Sequence, residues 1–250
     1  MDSSRLLDRL QDDFALLRDA VAAADPASRV PSCPDWSAAD LAQHVAQVYL
    51  HKAEIIRLGV FPESLPEEHL DADPLTALDK AYAVLTGQFS AHEPGDAAPS
   101  WYEPDQTVGF WIRRMAQETV IHRVDAELVA GRPVSGIPGD IALDGIDEVL
   151  KLFVGYGSTR WKDDFGTVLD APDQRPLSVS TSHHAWTVRA LPGGVTVEDA
   201  RTGFDGDALV SGDTVPLLLW LWNRGGDAVR HTGDQALLDQ FRALRTAATQ

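Results

Sequence analysis

Glu118 and His122 stand four residues apart in Thr107–Glu127, TVGFWIRRMAQETVIHRVDAE, where no Pro or Gly occurs between Phe110 and Glu127. Phe110, Met115, Val120, Ile121, Val124 and Leu128 recur near helical spacing, so the stretch reads as one amphipathic helix. On a helix an i,i+4 pair shares a face, one turn apart. A carboxylate and an imidazole so placed can both address zinc or a similar divalent ion. The plainer alternative is a solvated pair with no ligand, since short motifs recur by chance. Arg114 and Asp125 crowd the same face, which is dense polarity beside core positions. A third donor is available in His44. Leu41, Val45 and Val48 flank it at i−3, i+1 and i+4, which turns it inward. An inward His is usually a satisfied core residue; a second His and a Glu on another helix make a shared site an alternative.

These residues need helices to hold them. Ser4–Ala24 carries an apolar stripe (Leu6, Leu7, Leu10, Phe14, Leu17, Val21) that Asp25-Pro26 ends. Val30–Trp36 reads as a loop stiffened by Pro31 and Pro34. Ser37, with Asp40 three residues on, caps a second helix that runs to about Leu58 and bears His44. Phe61–Pro74 is an acidic connection, Pro74 to about Phe89 a third helix, and Ser90–Gln106 a long loop before the Glu118 helix, which Gly131-Arg132-Pro133 closes. The spacing thus predicts a four-helix bundle over residues 1–135, an architecture that builds metal sites from facing helices. Residues 136–250 change character. A helix is expected over Asp140–Tyr156, then period-two strands through Leu177–Thr181, Trp186–Val188, Val195–Val197 and Ala208–Val210, with a hairpin turn at Leu191–Gly194. An apolar helix over Val215–Trp222, a short strand near Val229–His231 and a helix over Ala236–Arg245 complete a smaller α+β domain.

Composition narrows the function classes. The 250 residues carry a formal net charge of −17, which disfavours phosphate backbones and anionic lipid, so neither nucleic acid nor membrane is expected as a partner. Cys33 is the only cysteine, so no intrachain disulfide forms, which fits a reducing, cytoplasmic setting. The N-terminus lacks an apolar signal core, and Val215–Trp222 is too short to span a bilayer.

Taken together, three segments resemble one family. VPSCPDWSAADLAQHV is similar to the Pro-Cys-Pro-x-Trp and Asp-Leu-x-x-His segment of the mycothiol-dependent maleylpyruvate isomerase family, and RRMAQETVIHRVDAE resembles its Arg-Arg-x-x-x-Glu-x-x-x-His-Arg-x-Asp-Ala-Glu signature. LLLWLWNRGG with VRHTGDQALLDQF resembles its C-terminal domain. The resemblance implies a DinB-like helical bundle followed by a sterol-carrier-like α+β domain. It also implies a zinc triad at His44, Glu118 and His122, with the open fourth position of a catalytic site. The implied cofactor is mycothiol, a small actinobacterial thiol that zinc would hold as thiolate. The implied reaction is a cis–trans isomerisation of an enone diacid by thiolate addition, rotation and elimination. Mycothiol S-transfer, metal-water hydrolysis and a non-catalytic metal-containing ligand-binding protein are the alternatives.

The resemblance implies a catalytic arginine in the C-terminal domain that assists the reaction, and Arg224 is its nearest match here; otherwise Arg224 is a surface residue closing the last turn of a helix. Arg114 either binds a substrate carboxylate or pairs with acids on its own helix, and Arg123 is read as structural, pairing with Asp125 or Glu127. Trp36 and Trp111 are candidates to line the cofactor pocket, or else core residues. Cys33 is a fourth ligand, a redox thiol or a buried small residue. Asp35 and Asn223 stand where the family more often has Gly. The partners expected are a small-molecule substrate and the low-molecular-weight thiol, with a monomeric or weakly dimeric chain.

Overall fold

The computed structural model describes residues 1–64, 73–201 and 206–249. The chain divides into two compact units, Met1–Gly136 and Ile137–Gln250. Residues 65–72, within the acidic connection read at Phe61–Pro74, lie outside the described residues.

The first unit is helical. α1 (Ser3–Ala23) starts at Asp2, whose carboxylate accepts from the Ser4 amide. α2 (Ala38–Leu58) begins with a complete capping box. Ser37 Oγ accepts from the Asp40 amide at 3.1 Å, and Asp40 Oδ2 accepts from the Ser37 amide at 2.9 Å. α3 (Pro74–Ala91) uses Asp73 as its cap and Pro74 at its first position, where a missing N–H costs nothing. α4 (Val108–Val129) is capped by Thr107, and nearly every residue from Phe110 to Glu127 is buried. It is therefore the central rod rather than a surface helix with one apolar stripe. α1 packs along α4 and α2 along α3, while α2 also meets α4. Tyr49 of α2 and Thr119 of α4 share a buried hydroxyl hydrogen bond. Phe14 and Tyr82 stack at 3.6 Å between α1 and α3.

Buried charge ties α1 to α4. Arg123, fully buried, donates from Nε to Asp13 at 2.9 Å and from Nη1 to Glu127 at 2.7 Å. Arg9 forms a second ion pair with Asp13. Arg123 is thus structural as expected, but its partners are Asp13 and Glu127 rather than Asp125. The segment read as a loop forms a small hairpin, β1 (Arg29–Val30) against β2 (Cys33–Ser37), with Arg29 paired to Ser37 and Val30 to Cys33. Val30 is completely buried, and the Arg29 guanidinium donates to the Asp35 carbonyl at 2.8 Å. Those two anchors hold a turn that its prolines alone would leave as coil.

In the second unit α5 (Gly139–Glu148) runs into a π-helical stretch, Val149–Tyr156, and then α6 (Gly157–Arg160). The single α-helix expected there widens its register at Val149. Strands β3 (Leu177–Ser180), β4 (Ala185–Leu191), β5 (Gly194–Ala200), β6 (Ala208–Ser211) and β7 (Arg230–Gly233) form one sheet in the order β5-β4-β3-β6-β7. Only the β3–β6 pairing is parallel. The β4–β5 hairpin closes through Pro192 and Gly193, the latter at φ +115°, which suits glycine. His183 and His184 lie in the tight β3–β4 connection. α7 (Thr214–Leu221) and α8 (Gln235–Ala248) complete the unit. The chain is thus α+β, a helical part followed by a mixed-sheet part. Among the described residues no helix is long and apolar enough to cross a membrane.

Candidate metal centre

α2 and α4 run antiparallel along their shared face, since His44 meets the Glu118–His122 turn while Lys52 meets Trp111. Positions 111, 114, 118, 122 and 125 of α4 recur at intervals of three and four, one continuous stripe. Where the two helices face each other, donor atoms of His44, Glu118 and His122 all lie within 4.8 Å of one another.

The arrangement around these atoms is specific. Glu118 Oε1 lies 3.2 Å from His122 Nε2 and 3.5 Å from His44 Nε2. The other carboxylate oxygen, Oε2, is held by the Arg114 guanidinium. One oxygen therefore faces the histidines while the other is committed. His122 donates from Nδ1 to Asp125 Oδ2 at 3.0 Å, which turns Nε2 toward the cluster. Asp125 is fully buried and its second oxygen accepts from Ser32 Oγ, in the turn between β1 and β2. A carboxylate fixing a ligand histidine through its remote nitrogen is the usual support of a metal-binding imidazole. Trp36 of β2 brings its ring to 4.5 Å from that of His44 and 6.1 Å from that of His122.

Charge in the cluster is strongly coupled. Burial would raise the Glu118 pKa, but the Arg114 guanidinium and His122 outweigh it and hold the carboxyl well below its usual range. Burial would lower the His122 pKa, yet Glu118 and Asp125 push it up to about 9. Two imidazole nitrogens and one carboxylate oxygen, with supporting contacts in place, are the donor set of an open divalent-metal site. The residues present fit such an ion.

The sequence candidates divide as follows. His44, Glu118 and His122 come together, Trp36 lies against the two histidines, and Arg114 holds Glu118. Trp111 is fully buried, and its indole N–H donates to the Pro99 carbonyl at 2.9 Å, so its ring is part of the core beneath Lys52. Cys33, half-buried in β2, is not in the donor cluster found among the described residues. Arg224 lies in the second unit, where its guanidinium donates to the Trp222 carbonyl just past α7. Asn223 beside it adopts φ +60°, a left-handed conformation that glycine and asparagine tolerate best. Sequence reasoning did not single out Ser32 or Lys52. The only signal for Lys52 was its place eight residues beyond His44 on the same helix.

Fold and site together define a helical domain carrying a His-Glu-His cluster that could hold a metal, joined in sequence to an α+β domain. The family model for the mycothiol maleylpyruvate isomerase N-terminal domain matches residues 7–127, and that for the family's C-terminal domain matches residues 140–240. The chain belongs to the mycothiol maleylpyruvate isomerase family. It is similar to the crystal structure of the mycothiol-dependent maleylpyruvate isomerase, with TM-score 0.62 and 16% identity, covering 94% of this chain and 95% of that chain. A histidine-to-alanine mutant of that enzyme gives TM-score 0.63 at 15% identity with the same coverage. At such identities the likeness shows the fold. A further likeness, to the UbiJ-SCP2 ubiquinone synthesis protein, has a TM-score of 0.28 and carries no argument. No curated protein sequence matches the chain.

Proposed function

We propose that this protein is a zinc- and mycothiol-dependent enzyme that catalyses a maleylpyruvate-isomerase-like cis–trans isomerisation. The observation that carries the reading is the open His44–Glu118–His122 cluster, in a chain of this family. A divalent ion held there would keep a thiol sulfur as thiolate at neutral pH. Addition of that sulfur to one carbon of a cis double bond conjugated to a carbonyl sends the π pair to the carbonyl oxygen. Rotation about the new single bond, return of the pair and expulsion of the sulfur give the trans isomer, with no atom gained or lost.

The chain's own residues supply the setting. His44, Glu118 and His122 provide the donors, and Asp125 keeps His122 Nε2 turned toward them. Arg114 holds one oxygen of Glu118, leaving the other for the site. Trp36 covers the histidines with an apolar face that limits water.

The test is elemental analysis of wild type and His122→Ala, with mycothiol titrated calorimetrically into the zinc-loaded protein. The expected result is about one zinc per wild-type chain, loss of zinc in the variant, and thiol binding only when zinc is bound. Metal-free wild type, or thiol binding indifferent to zinc, overturns the reading.

A further inference from the structure

Lys52 is a half-buried cation with no carboxylate against it among the described residues. Its ammonium lies 2.8 Å from His51 Nδ1 and 5.2 Å from the centre of the Trp111 ring. Neither group neutralises it. His51 is half-buried too, and burial first, then Lys52, press its pKa down to about 4, so at neutral pH it is an uncharged acceptor for one ammonium proton. An ammonium has three donors, and the others have no protein acceptor among the described residues.

The charges that reach Lys52 belong to the metal centre. Glu118 favours the ammonium and Arg114 opposes it. Glu118 has nothing left to give, because its oxygens face the two histidines and Arg114. Along α2, Lys52 stands eight residues from His44, a rise of roughly 12 Å, on the side where Trp111, Arg114 and Glu118 face it from α4. Burying a charge without a partner is costly, and a protein that retains one beside a reactive centre has a use for it.

We propose that Lys52, with His51 and the Trp111 ring as its seat, is the anchor for a carboxylate of the substrate bound at the His44–Glu118–His122 centre. The inference rests on the functional reading above and names the substrate class it requires, a short-chain carboxylic acid with its reactive double bond between the anchor and the metal centre. Lys52 is in this sense a specificity-determining residue, and the apolar Trp111 face beneath it strengthens the charge pairing by excluding water.

Maleate, a four-carbon cis-dicarboxylate, is the probe. It is titrated by calorimetry into the zinc-loaded full-length chain of wild type, Lys52→Met and Lys52→Arg, with zinc content and melting temperature measured on each. Lys52→Met is expected to weaken maleate binding by about tenfold or more, as loss of one charge-assisted contact does, with zinc content unchanged. Lys52→Arg is expected to stay within about threefold of wild type, because it restores the charge. Lys52→Met should also melt higher than wild type, since it removes an unneutralised cation; a residue held only for structure would show the opposite. Equal maleate affinity in wild type and Lys52→Met, no maleate binding by wild type, or failure of Lys52→Arg to restore binding each overturns the proposal. Failure of the mycothiol titration overturns the functional reading instead, and leaves the maleate comparison to judge Lys52 by itself.

Discussion

Asp125 decides which nitrogen of His122 faces Glu118 and His44. Its carboxylate is fully buried, accepts the hydrogen bond from His122 Nδ1 and is itself held by Ser32. Asp125→Ala is expected to lower zinc affinity by ~10–100-fold while leaving all donors in place. Competition against a chelating dye measures this; an unchanged affinity would mean that packing alone orients the imidazole. Lys52 gives a pH signature. Burial holds its pKa down to about 8, with Glu118 pulling it up and Arg114 pushing it down, and His51 stays neutral beside it. Maleate affinity of wild type should therefore fall as pH rises through about 8, while Lys52→Met stays flat. Stability moves the other way. The folded pKa lies below the ordinary lysine value of 10.5, so the cost of burying the charge acts in full below pH 8. It is relieved as pH climbs toward the unfolded value, where the unfolded chain holds the extra proton. Wild type should thus gain stability relative to Lys52→Met across that window, as chemical unfolding at pH 7 and pH 10 would show.

The helices set how accurately those residues meet. His44 rides on α2, whose first turn is fixed by the reciprocal Ser37–Asp40 cap. Ser37→Ala should destabilise the protein by about 1 kcal/mol, read as a lower unfolding midpoint, with zinc still bound. Arg123 matters more. It joins α1 to α4 through Asp13 and Glu127, all three buried. Arg123→Met takes a buried cation from Asp13 and Glu127, leaving Asp13 to Arg9 and Glu127 to the Ser135 amide, and should cost about 3–5 kcal/mol, seen as a large fall in melting temperature; a mild effect would mean that Arg9 alone can hold Asp13. Much of this was legible in the sequence. The Glu118–His122 spacing and the Ser37 cap are local signals that tertiary packing left intact; His44 does turn toward α4, as its apolar flanks suggested, but stays partly exposed. Lys52 was not legible, because a lysine on a helix defaults to solvent and its lack of a counter-charge emerges only when α4 arrives beside it. The β1–β2 hairpin was hidden by Pro31 and Pro34, which read as coil until the burial of Val30 is known. The π-helical stretch at Val149–Tyr156 keeps the same apolar character as an α-helix, so periodicity did not separate them.

For the whole molecule, the metal donors, Asp125, Arg114, Trp36 and Lys52 all belong to the first unit. A fragment of residues 1–136 is therefore expected to bind about one zinc with the affinity of the full chain, measured by elemental analysis and dye competition. Zinc lost from a folded fragment would show that the second unit helps to hold the metal. The net charge of −17 sharpens the role of Lys52. An overall acidic surface slows the approach of an anionic substrate, so a local cation has to supply the attraction that the bulk of the molecule denies, and salt should speed capture rather than weaken it at long range.

The donors also differ in their access to water. His44 keeps 34% of its side chain exposed, against 14% for Glu118 and 10% for His122. With an ion in the proposed site, a chelator would meet His44 first. Release would begin by detaching that one arm, leaving the ion on two donors of a single helix turn, from which it either re-closes or departs. The residence time of such an ion would then follow how often α2 lets go, and a change that loosens α2 would speed its exchange without altering a single donor.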